Sequence, residues 1–291
     1  MLSIEATGSA CGATVAGVDL SRPLSEDVVR ELRRAWMRYH VLVFPEQKLT
    51  DVDLVRVTGC FGPVGEDPFF EAISDTNPVV ALTRRADEKA PVFAENWHSD
   101  WSFKAVPPIG TCLYALTIPP VGGNTDFVNQ HLAYAAMPDT LKDRLADKVA
   151  VHSAALAYAP DGTYGDKACE DDRSIKIRWS ESARDQQTHP LVVTHPENGQ
   201  PGVFSTAGYI VGIEGMGDAA AQALLAEVRE WQTREEFVYS HQWQEGMLVI
   251  WDNRSVLHRA NGGYDGYDRE LHRTTIAEDR DRFVSPEDLA A

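Results

Sequence analysis

Long apolar runs are missing from this chain of 291 residues, and no stretch approaches the roughly 20 apolar residues that a membrane-spanning helix needs. The N-terminal segment MLSIEATGSACGATV lacks a basic start followed by an apolar run, so we expect no signal peptide. Cysteine is also scarce, because the chain has only four, widely spaced and without a C-x-x-C pair. These absences predict reduced thiols, a cytoplasmic location and no membrane partner.

Basic residues are outnumbered, with 27 Lys and Arg against 44 Asp and Glu, which gives a formal net charge of −17. Nucleic acids are bound by basic surfaces, so we expect no nucleic-acid partner. No G-x-G-x-x-G or P-loop stretch lies between a strand and a helix, which argues against a nucleotide-dependent enzyme. We therefore expect a small-molecule partner, and a homo-oligomer stays open.

Short strand-like segments fill the middle and the C-terminal part of the chain. They are β-branched or aromatic and are separated by Gly, Pro, Asn or Asp, as in PIGTCLYAL, FVYSHQW and GMLVIWDN. Two capped helices precede them, one starting after Ser25 and one running from Thr50 to Gly62. Further helices are predicted over 132–148 and 218–233. The pattern predicts one domain over 1–291, mainly β with packed helices and a jelly-roll or barrel-like core, with a lid-like polar loop near 159–176.

The stretch ENWHSDWSF places His98 two residues before Asp100. In an extended segment both side chains point to the same face, so a nitrogen and a carboxylate oxygen could reach one metal ion. The pair alone does not decide between a metal site and a structural histidine, because His195-Pro196-Glu197 has the same spacing.

A second informative stretch, EGMLVIWDNRSVLHRANGGYDGYDRELHRTTI, contains a strand, a turn at Asp252-Asn253 and a further strand that carries His258. In a rolled-up sheet His258 could return to the face of His98 and Asp100. Two histidines and one carboxylate on one side of a metal leave the other side open, which is the arrangement of non-haem Fe(II) oxygenases.

Six motifs occur in order along the chain: GATVAGVDLSRPL, VLVFPEQ, NWHSDWSF, PPVGGNTDF, HPLVVTHPENG and WDNRSVLHRA. With them, nearly the whole chain resembles the Fe(II)/2-oxoglutarate-dependent dioxygenases of the taurine dioxygenase and phenoxyalkanoate dioxygenase (TauD/TfdA) family. This resemblance implies a double-stranded β-helix (jelly-roll) core. It also implies that the iron ligands are His98, Asp100 and His258.

The resemblance implies further residues for the cosubstrate. Thr125 matches the threonine that helps to bind 2-oxoglutarate, and Arg269 matches the arginine that pairs with its distal carboxylate. Arg273 matches a second arginine, near the iron-bound end of the cosubstrate and the substrate's anionic group. Positions 269 and 273 share a face of an extended strand, so both guanidinium groups can point inward.

The implied reaction uses Fe(II), 2-oxoglutarate and O2, releases succinate and CO2, and oxidises an aliphatic C–H bond, most simply by hydroxylation. Asp100 favours oxygenation, since relatives that halogenate lack this carboxylate. Two other classes stay open from the residues alone. One is a non-catalytic metal- or ligand-binding β-barrel protein, and the other is a zinc hydrolase with the same three ligands.

Three positions depart from the taurine dioxygenase pattern. Asp67 and Phe70 stand where those enzymes carry a histidine and a tyrosine, and Ala94 replaces an asparagine. A sulfonate would lose hydrogen-bond partners here and meet a negative charge, so we do not expect taurine as the substrate. We expect a small, partly apolar carboxylate facing Arg273, and a sulfonate or natural-product oxidase is the alternative within the family. Desaturation or ring formation also stays open.

Overall fold

The computed structural model describes residues 2–166, 172–204 and 208–284. Two expectations fall partly or wholly outside these ranges. The lid-like loop near 159–176 includes residues 167–171, and Cys169 lies among them. In the described residues, Cys11, Cys60 and Cys112 are free thiols.

Strands dominate the described residues. The strands are β1 Ser3–Ala6, β2 Ala13–Ala16, β3 Val41–Phe44, β4 Ala72–Ser74, β5 Asn77–Arg84, β6 Gly110–Thr117, β7 Thr125–Asn129, β8 Val149–Ser153, β9 Gln186–Pro190, β10 Val192–Thr194, β11 Pro201–Val203, β12 Ile210–Ile213, β13 Val238–His241, β14 Leu248–Asp252, β15 Val256–Ala260 and β16 Arg269–Ile276. The α-helices are α1 Glu26–Tyr39, α2 Asp51–Phe61, α3 Gln130–Ala135, α4 Asp139–Leu145, α5 Ala155–Tyr158 and α6 Asp218–Gln232. Short 3₁₀ turns cover Glu181–Arg184, Glu235–Phe237 and Arg280–Arg282.

The helix starts follow the capping residues of the sequence. The Ser25 side chain accepts a hydrogen bond from the Val28 amide at the start of α1. Thr50 and Asp53 form a reciprocal capping box at the start of α2, where two otherwise unsatisfied backbone amides gain partners. The single helix predicted over 132–148 was wrong. The structure has α3 and α4 there, separated at Pro138, because proline has no amide to continue a helix.

Two sheets enclose the core. The larger has eight strands in the order β1-β2-β3-β14-β6-β16-β5-β4, and a smaller one has the order β13-β7-β15. Side chains of both sheets form one buried cluster, which includes Leu113, Phe127 and Trp251. The mainly β fold with packed helices and a jelly-roll core is thereby confirmed.

The position of β14 inside the larger sheet explains why its sequence is a continuous apolar run. Val249 and Trp251 face the core between the sheets, whereas Leu248 and Ile250 pack in the cluster formed with α1 and α2. A strand covered on both faces needs apolar residues at every position. The same alternation in β16 sends Arg269, Leu271 and Arg273 inward.

A third sheet, with the order β12-β8-β9, and the β10-β11 hairpin form a satellite with α6. The predicted hairpin loop at Asn198-Gly199 is confirmed, with Gly199 at a φ of 70°. None of the helices in the described ranges combines the length and the apolar character needed to cross a membrane.

Candidate active site

His98 and His258 lie opposite each other in an isolated antiparallel bridge. The His98 amide donates to the His258 carbonyl at 3.0 Å, and the His258 amide donates back at 2.8 Å. Paired residues of this kind project their side chains to the same face, and the two imidazole centroids lie 4.2 Å apart. Strand β15 therefore fixes both histidines with one pair of backbone hydrogen bonds.

The backbone around this bridge is tightly constrained. Ala94 and Trp101 flank the segment and adopt left-handed conformations, with φ of 64° and 47°. The Ala260 amide donates to the Ala94 carbonyl at 2.9 Å, so β15 holds the segment at a second point. Non-glycine residues keep such conformations only where surrounding contacts enforce them, as is common at functional sites.

Asp100 completes a buried three-residue group. Its Oδ1 lies 3.8 Å from His98 Nε2 and 3.7 Å from His258 Nε2. One ligand atom from each residue lies within 4.8 Å of the others, and among the described residues no other set of three His, Cys, Asp or Glu converges in this way. The sequence-predicted residues His98, Asp100 and His258 are thus brought together.

Hydrogen bonds orient these side chains toward a common point. His98 Nδ1 donates to the Asn96 carbonyl at 2.7 Å, which leaves the Nε2 lone pair facing Asp100. The Thr111 hydroxyl donates to Asp100 Oδ2 at 2.6 Å and leaves Oδ1 facing the histidines. Burial lowers the pKa of both His98 and His258, so both imidazoles are neutral. Two neutral imidazoles and a carboxylate are a fitting donor set for Fe(II).

The charge on Asp100 is strongly favoured. Burial opposes its ionisation, but the adjacent Arg273 guanidinium and the hydrogen bond from Thr111 favour the ionised form, and the pKa of Asp100 is lowered to about 2. The carboxylate is therefore ionised at neutral pH, as a metal ligand must be.

Arg269 is a buried cation without a carboxylate counterion among the residues that the structure describes. Its Nη2 donates to the Gly123 carbonyl at 3.3 Å, its Nε has no partner, and no carboxylate of the described residues forms an ion pair with it. Burial lowers the pKa of Arg269, because the charged guanidinium loses its hydration. Thr125 and Arg269 line the same cleft. Thr125 Oγ1 accepts a hydrogen bond from Trp243 Nε1 at 3.0 Å, so its own hydroxyl hydrogen is free to donate.

Arg273 is arranged differently from Arg269. Its Nη2 lies 3.1 Å from Asp100 Oδ1 and 3.3 Å from Asp67 Oδ1, although the angles at this nitrogen are not those of a hydrogen bond. The guanidinium also lies over the Trp101 ring, 5.0 Å from its centroid. Two carboxylates therefore neutralise the arginine that we expected to face a substrate anion.

The three positions expected near the substrate have different surroundings. Asp67 is buried, with its side chain 5% exposed, and accepts a 2.7 Å hydrogen bond from Trp101 Nε1. Phe70 is buried between the Arg273 guanidinium and the Phe93 ring. Only Ala94 of the three lines the clefts described below, whereas Asp67 and Phe70 contact Arg273, which lines the first cleft.

Two adjoining clefts open beside the three-residue group. The first, of about 730 Å³ and partly open to solvent, is lined by that group together with Thr125, Arg269 and Arg273. The second, of about 640 Å³, has an aromatic wall with Tyr158, Tyr164 and Tyr209. His98 and Ala94 line both clefts, so a ligand in either one lies next to the predicted metal ligands.

The rival histidine motif serves a different purpose. His195 Nε2 lies 3.0 Å from Asp252 Oδ2, and the Glu197 carboxylate pairs with Arg33 at 3.0 Å and Arg254 at 2.9 Å. All of these side chains are largely buried. The motif therefore belongs to an ion-pair network that ties β14 to α1, away from the clefts.

Sequence reasoning missed two residues of the site. Thr111 lies in an ordinary strand sequence, and only the position of β6 beside Asp100 gives it a role. Arg173 lines the first cleft but lies in the polar stretch predicted as a surface loop. The local signal for Arg173 was its position directly before SIKI, a stretch that alternates polar and apolar residues like a strand.

Known proteins carry the same sequence pattern and fold. The family model described as "Taurine catabolism dioxygenase TauD, TfdA family" matches residues 3–275. The chain belongs to this family. An alkylsulfatase from Acinetobacter baylyi is 30% identical over 96% of this chain and 89% of its own length. An alpha-ketoglutarate-dependent 2,4-dichlorophenoxyacetate dioxygenase from Cupriavidus pinatubonensis is 33% identical over 92% of this chain and 94% of its own length.

A solved structure of a taurine dioxygenase from Burkholderia xenovorans is similar to this TauD/TfdA member with a TM-score of 0.77 and 28% identity, covering 96% of this chain and 91% of that one. The protein is therefore a 2-oxoglutarate-dependent dioxygenase that uses Fe(II), 2-oxoglutarate and O2. Family membership sets aside the non-catalytic β-barrel and the zinc hydrolase.

Proposed function

We propose that this dioxygenase hydroxylates an aliphatic C–H bond of a small, partly apolar carboxylate while 2-oxoglutarate is converted to succinate and CO2. One observation carries the proposal. The ligand atoms of His98, Asp100 and His258 converge on the same cavity as Arg269, a buried cation that has no carboxylate partner among the described residues. This combination suits a metal ion next to an anionic cosubstrate.

In this proposal His98, Asp100 and His258 hold the iron. When bound, Fe(II), 2-oxoglutarate and O2 together supply the oxidising power for the C–H bond. The Asn96 carbonyl keeps the His98 ring in the tautomer that presents Nε2, and the Thr111 hydroxyl presents Asp100 through Oδ1 alone. A ligand set fixed in this way loses little freedom when the metal binds.

Arg269 and Thr125 bind the distal carboxylate of 2-oxoglutarate. The planar guanidinium of Arg269 can form a bidentate pair that a lysine cannot reproduce. Thr125 adds a hydroxyl donor, since Trp243 already occupies an acceptor position on its oxygen. Arg273 lies next to Asp100 and is placed to contact the iron-bound end of the cosubstrate.

The surroundings of the site support a partly apolar substrate. Phe93, Tyr158 and Tyr209 line the second cleft, and Ala94 leaves room between the clefts. Asp67 and Asp100 place two carboxylates beside Arg273, which disfavours an anionic group of the substrate at that arginine. Asp100 occupies the ligand position that a halide would need, so oxygenation is favoured over halogenation.

The proposal is tested in two steps. Anaerobic addition of Fe(II) and 2-oxoglutarate to the wild-type protein should give a weak visible charge-transfer band, and succinate should form when O2 and a substrate are added. The substrate panel contains aryloxyalkanoates, alkylsulfonates and terpenoid carboxylates. Absence of both the band and succinate would overturn the proposal. Substrate-stimulated succinate formation with sulfonates alone would overturn its carboxylate part.

A further inference from the structure

Arg173 lines the first cleft together with His98, Asp100 and His258. Its Nη1 donates to the Pro91 carbonyl at 2.9 Å, and its guanidinium lies over the Tyr164 ring, 5.2 Å from the centroid. Its Nε is buried and has no hydrogen-bond partner. No carboxylate in the described ranges forms an ion pair with this arginine, so among the residues that the structure describes neither its charge nor its Nε donor has a partner.

Both sequence neighbours of Arg173 make hydrogen bonds to the loop at residues 88–90. The Asp172 carboxylate accepts hydrogen bonds from the amides of Lys89 at 2.8 Å and Ala90 at 3.1 Å. The Ser174 amide donates to the Glu88 carboxylate at 2.8 Å. The segment is thus attached to the loop that follows β5 through three hydrogen bonds. Together with the contacts of the guanidinium to the Pro91 carbonyl and the Tyr164 ring, these bonds preorganise Arg173 for a ligand, which reduces the entropy lost on binding.

Two of the other three arginines of the cleft already have carboxylate partners. Arg84 pairs with Glu88 at 3.4 Å, and Arg273 lies between Asp100 and Asp67. Arg269 is assigned above to the distal carboxylate of 2-oxoglutarate. Arg173 is the remaining cleft arginine in the described ranges that lacks both a protein carboxylate and a cosubstrate carboxylate. A partly buried cation without a counterion favours the entry of an anion.

We propose that Arg173, rather than Arg273, binds the substrate carboxylate. This inference rests on the proposed function and narrows its substrate class to a monocarboxylate attached to an apolar body. Phe93 and Ile175 line the same cleft and offer apolar surface for that body. The guanidinium can form a charged hydrogen-bonded pair with the carboxylate, while the C–H bond to be oxidised lies toward the metal ligands.

The experiment compares an anion with a neutral compound of the same shape. Phenoxyacetate and phenoxyacetamide are titrated anaerobically into the protein loaded with Fe(II) and 2-oxoglutarate, and the shift of the visible band gives each Kd. Arg173→Gln should weaken phenoxyacetate on the order of 10- to 100-fold, the effect expected for loss of a charged hydrogen-bonded partner. Binding of phenoxyacetamide should change little, and Arg173→Lys should recover part of the loss.

Arg178→Gln is the matched control, because Arg178 follows closely in sequence but is exposed and pairs with Glu71. This variant should bind both compounds like the wild type. The inference is overturned if Arg173→Gln leaves the ratio of the two Kd values unchanged. A normal 2-oxoglutarate band in the same variant shows that the site has folded, so failure of the inference is distinguishable from failure of the proposed function, in which the wild type forms no band.

Discussion

Thr111 donates a 2.6 Å hydrogen bond to Oδ2 of Asp100 and in turn accepts one from Asn253 Nδ2 at 3.1 Å. Asn253 is held by Trp251 Nε1, which donates to its side-chain oxygen at 2.9 Å. A chain of buried hydrogen bonds therefore runs from the end of β14 to the carboxylate. It leaves only Oδ1 facing His98 and His258, so the arrangement favours a carboxylate that binds metal through one oxygen.

Replacing Thr111 should weaken metal binding. Thr111→Val keeps the shape of the side chain but removes the donor, so Asp100 gains rotational freedom. We expect Fe(II) affinity to fall on the order of 10- to 100-fold, as for other residues that orient metal ligands. Thr111→Ser retains the hydroxyl donor and should keep most of the wild-type Fe(II) affinity. Anaerobic Fe(II) titration measures the effect, with Thr194→Val on the exposed part of β10 as the control. Equal Fe(II) affinity in Thr111→Val and wild type would contradict the orienting role.

Replacing Arg269 should affect the cosubstrate more than the metal. Arg269→Ala removes the buried counterion proposed for the distal carboxylate, and we expect 2-oxoglutarate binding to weaken on the order of 10- to 100-fold. The 2-oxoglutarate affinity of Arg269→Lys should lie between those of Arg269→Ala and the wild type, because an ammonium keeps the charge but cannot form the bidentate pair. Titration of the visible band with 2-oxoglutarate provides the Kd. Arg229→Ala, on the exposed face of α6, is the control, and unchanged 2-oxoglutarate affinity in Arg269→Ala would contradict the assignment.

Asp67 should contribute to stability through Arg273. Asp67→Ala removes one of two carboxylates beside a buried guanidinium and leaves Trp101 Nε1 without its acceptor. We expect the free energy of unfolding to fall by about 3 kcal/mol, at the lower end of the range for broken buried pairs because Asp100 remains. Asp67→Asn retains an acceptor for Trp101 Nε1, so its free energy of unfolding should fall less than that of Asp67→Ala. Urea unfolding monitored by tryptophan fluorescence tests this order, and an alanine variant as stable as the wild type would refute it.

His40 should make the protein sensitive to acid. Burial lowers the pKa of His40 from 6.5 to about 3, so the folded state resists protonation. Between these two values the unfolded state binds a proton that the folded state does not, and stability falls as the pH falls. For one such proton the free energy of unfolding changes by up to about 1.4 kcal/mol per pH unit.

A variant that cannot be protonated isolates this effect. His40 has a left-handed backbone, with φ of 66°, which asparagine tolerates well. His40→Asn should therefore lose less stability than the wild type when urea unfolding is compared at pH 6.5 and pH 4. Glu46→Asn is a matched control, since Glu46 is exposed and also left-handed, with φ of 56°. Identical pH slopes in His40→Asn and wild type would show that His40 does not contribute.

Local sequence patterns were sufficient for the starts of α1, α2 and α6 and for most strands. Ser25 and Thr50 predicted the starts of α1 and α2, since capping depends on residues only a few positions apart. The break at Pro138 was missed although its signal is local, because the apolar pattern continued across it. The Asn198-Gly199 loop was predicted correctly, since a tight turn depends on the two residues that form it.

The sequence by itself determined which side chains can act together within one segment. The spacing of His98 and Asp100, and of Arg269 and Arg273, follows from the two-residue period of extended backbone. Only the tertiary structure decided which residues each of these side chains contacts. The bridge between His98 and His258 and the contact of Arg273 with Asp67 join segments far apart in the chain. Such contacts depend on strand pairing and on the burial of charge, which no local spacing encodes.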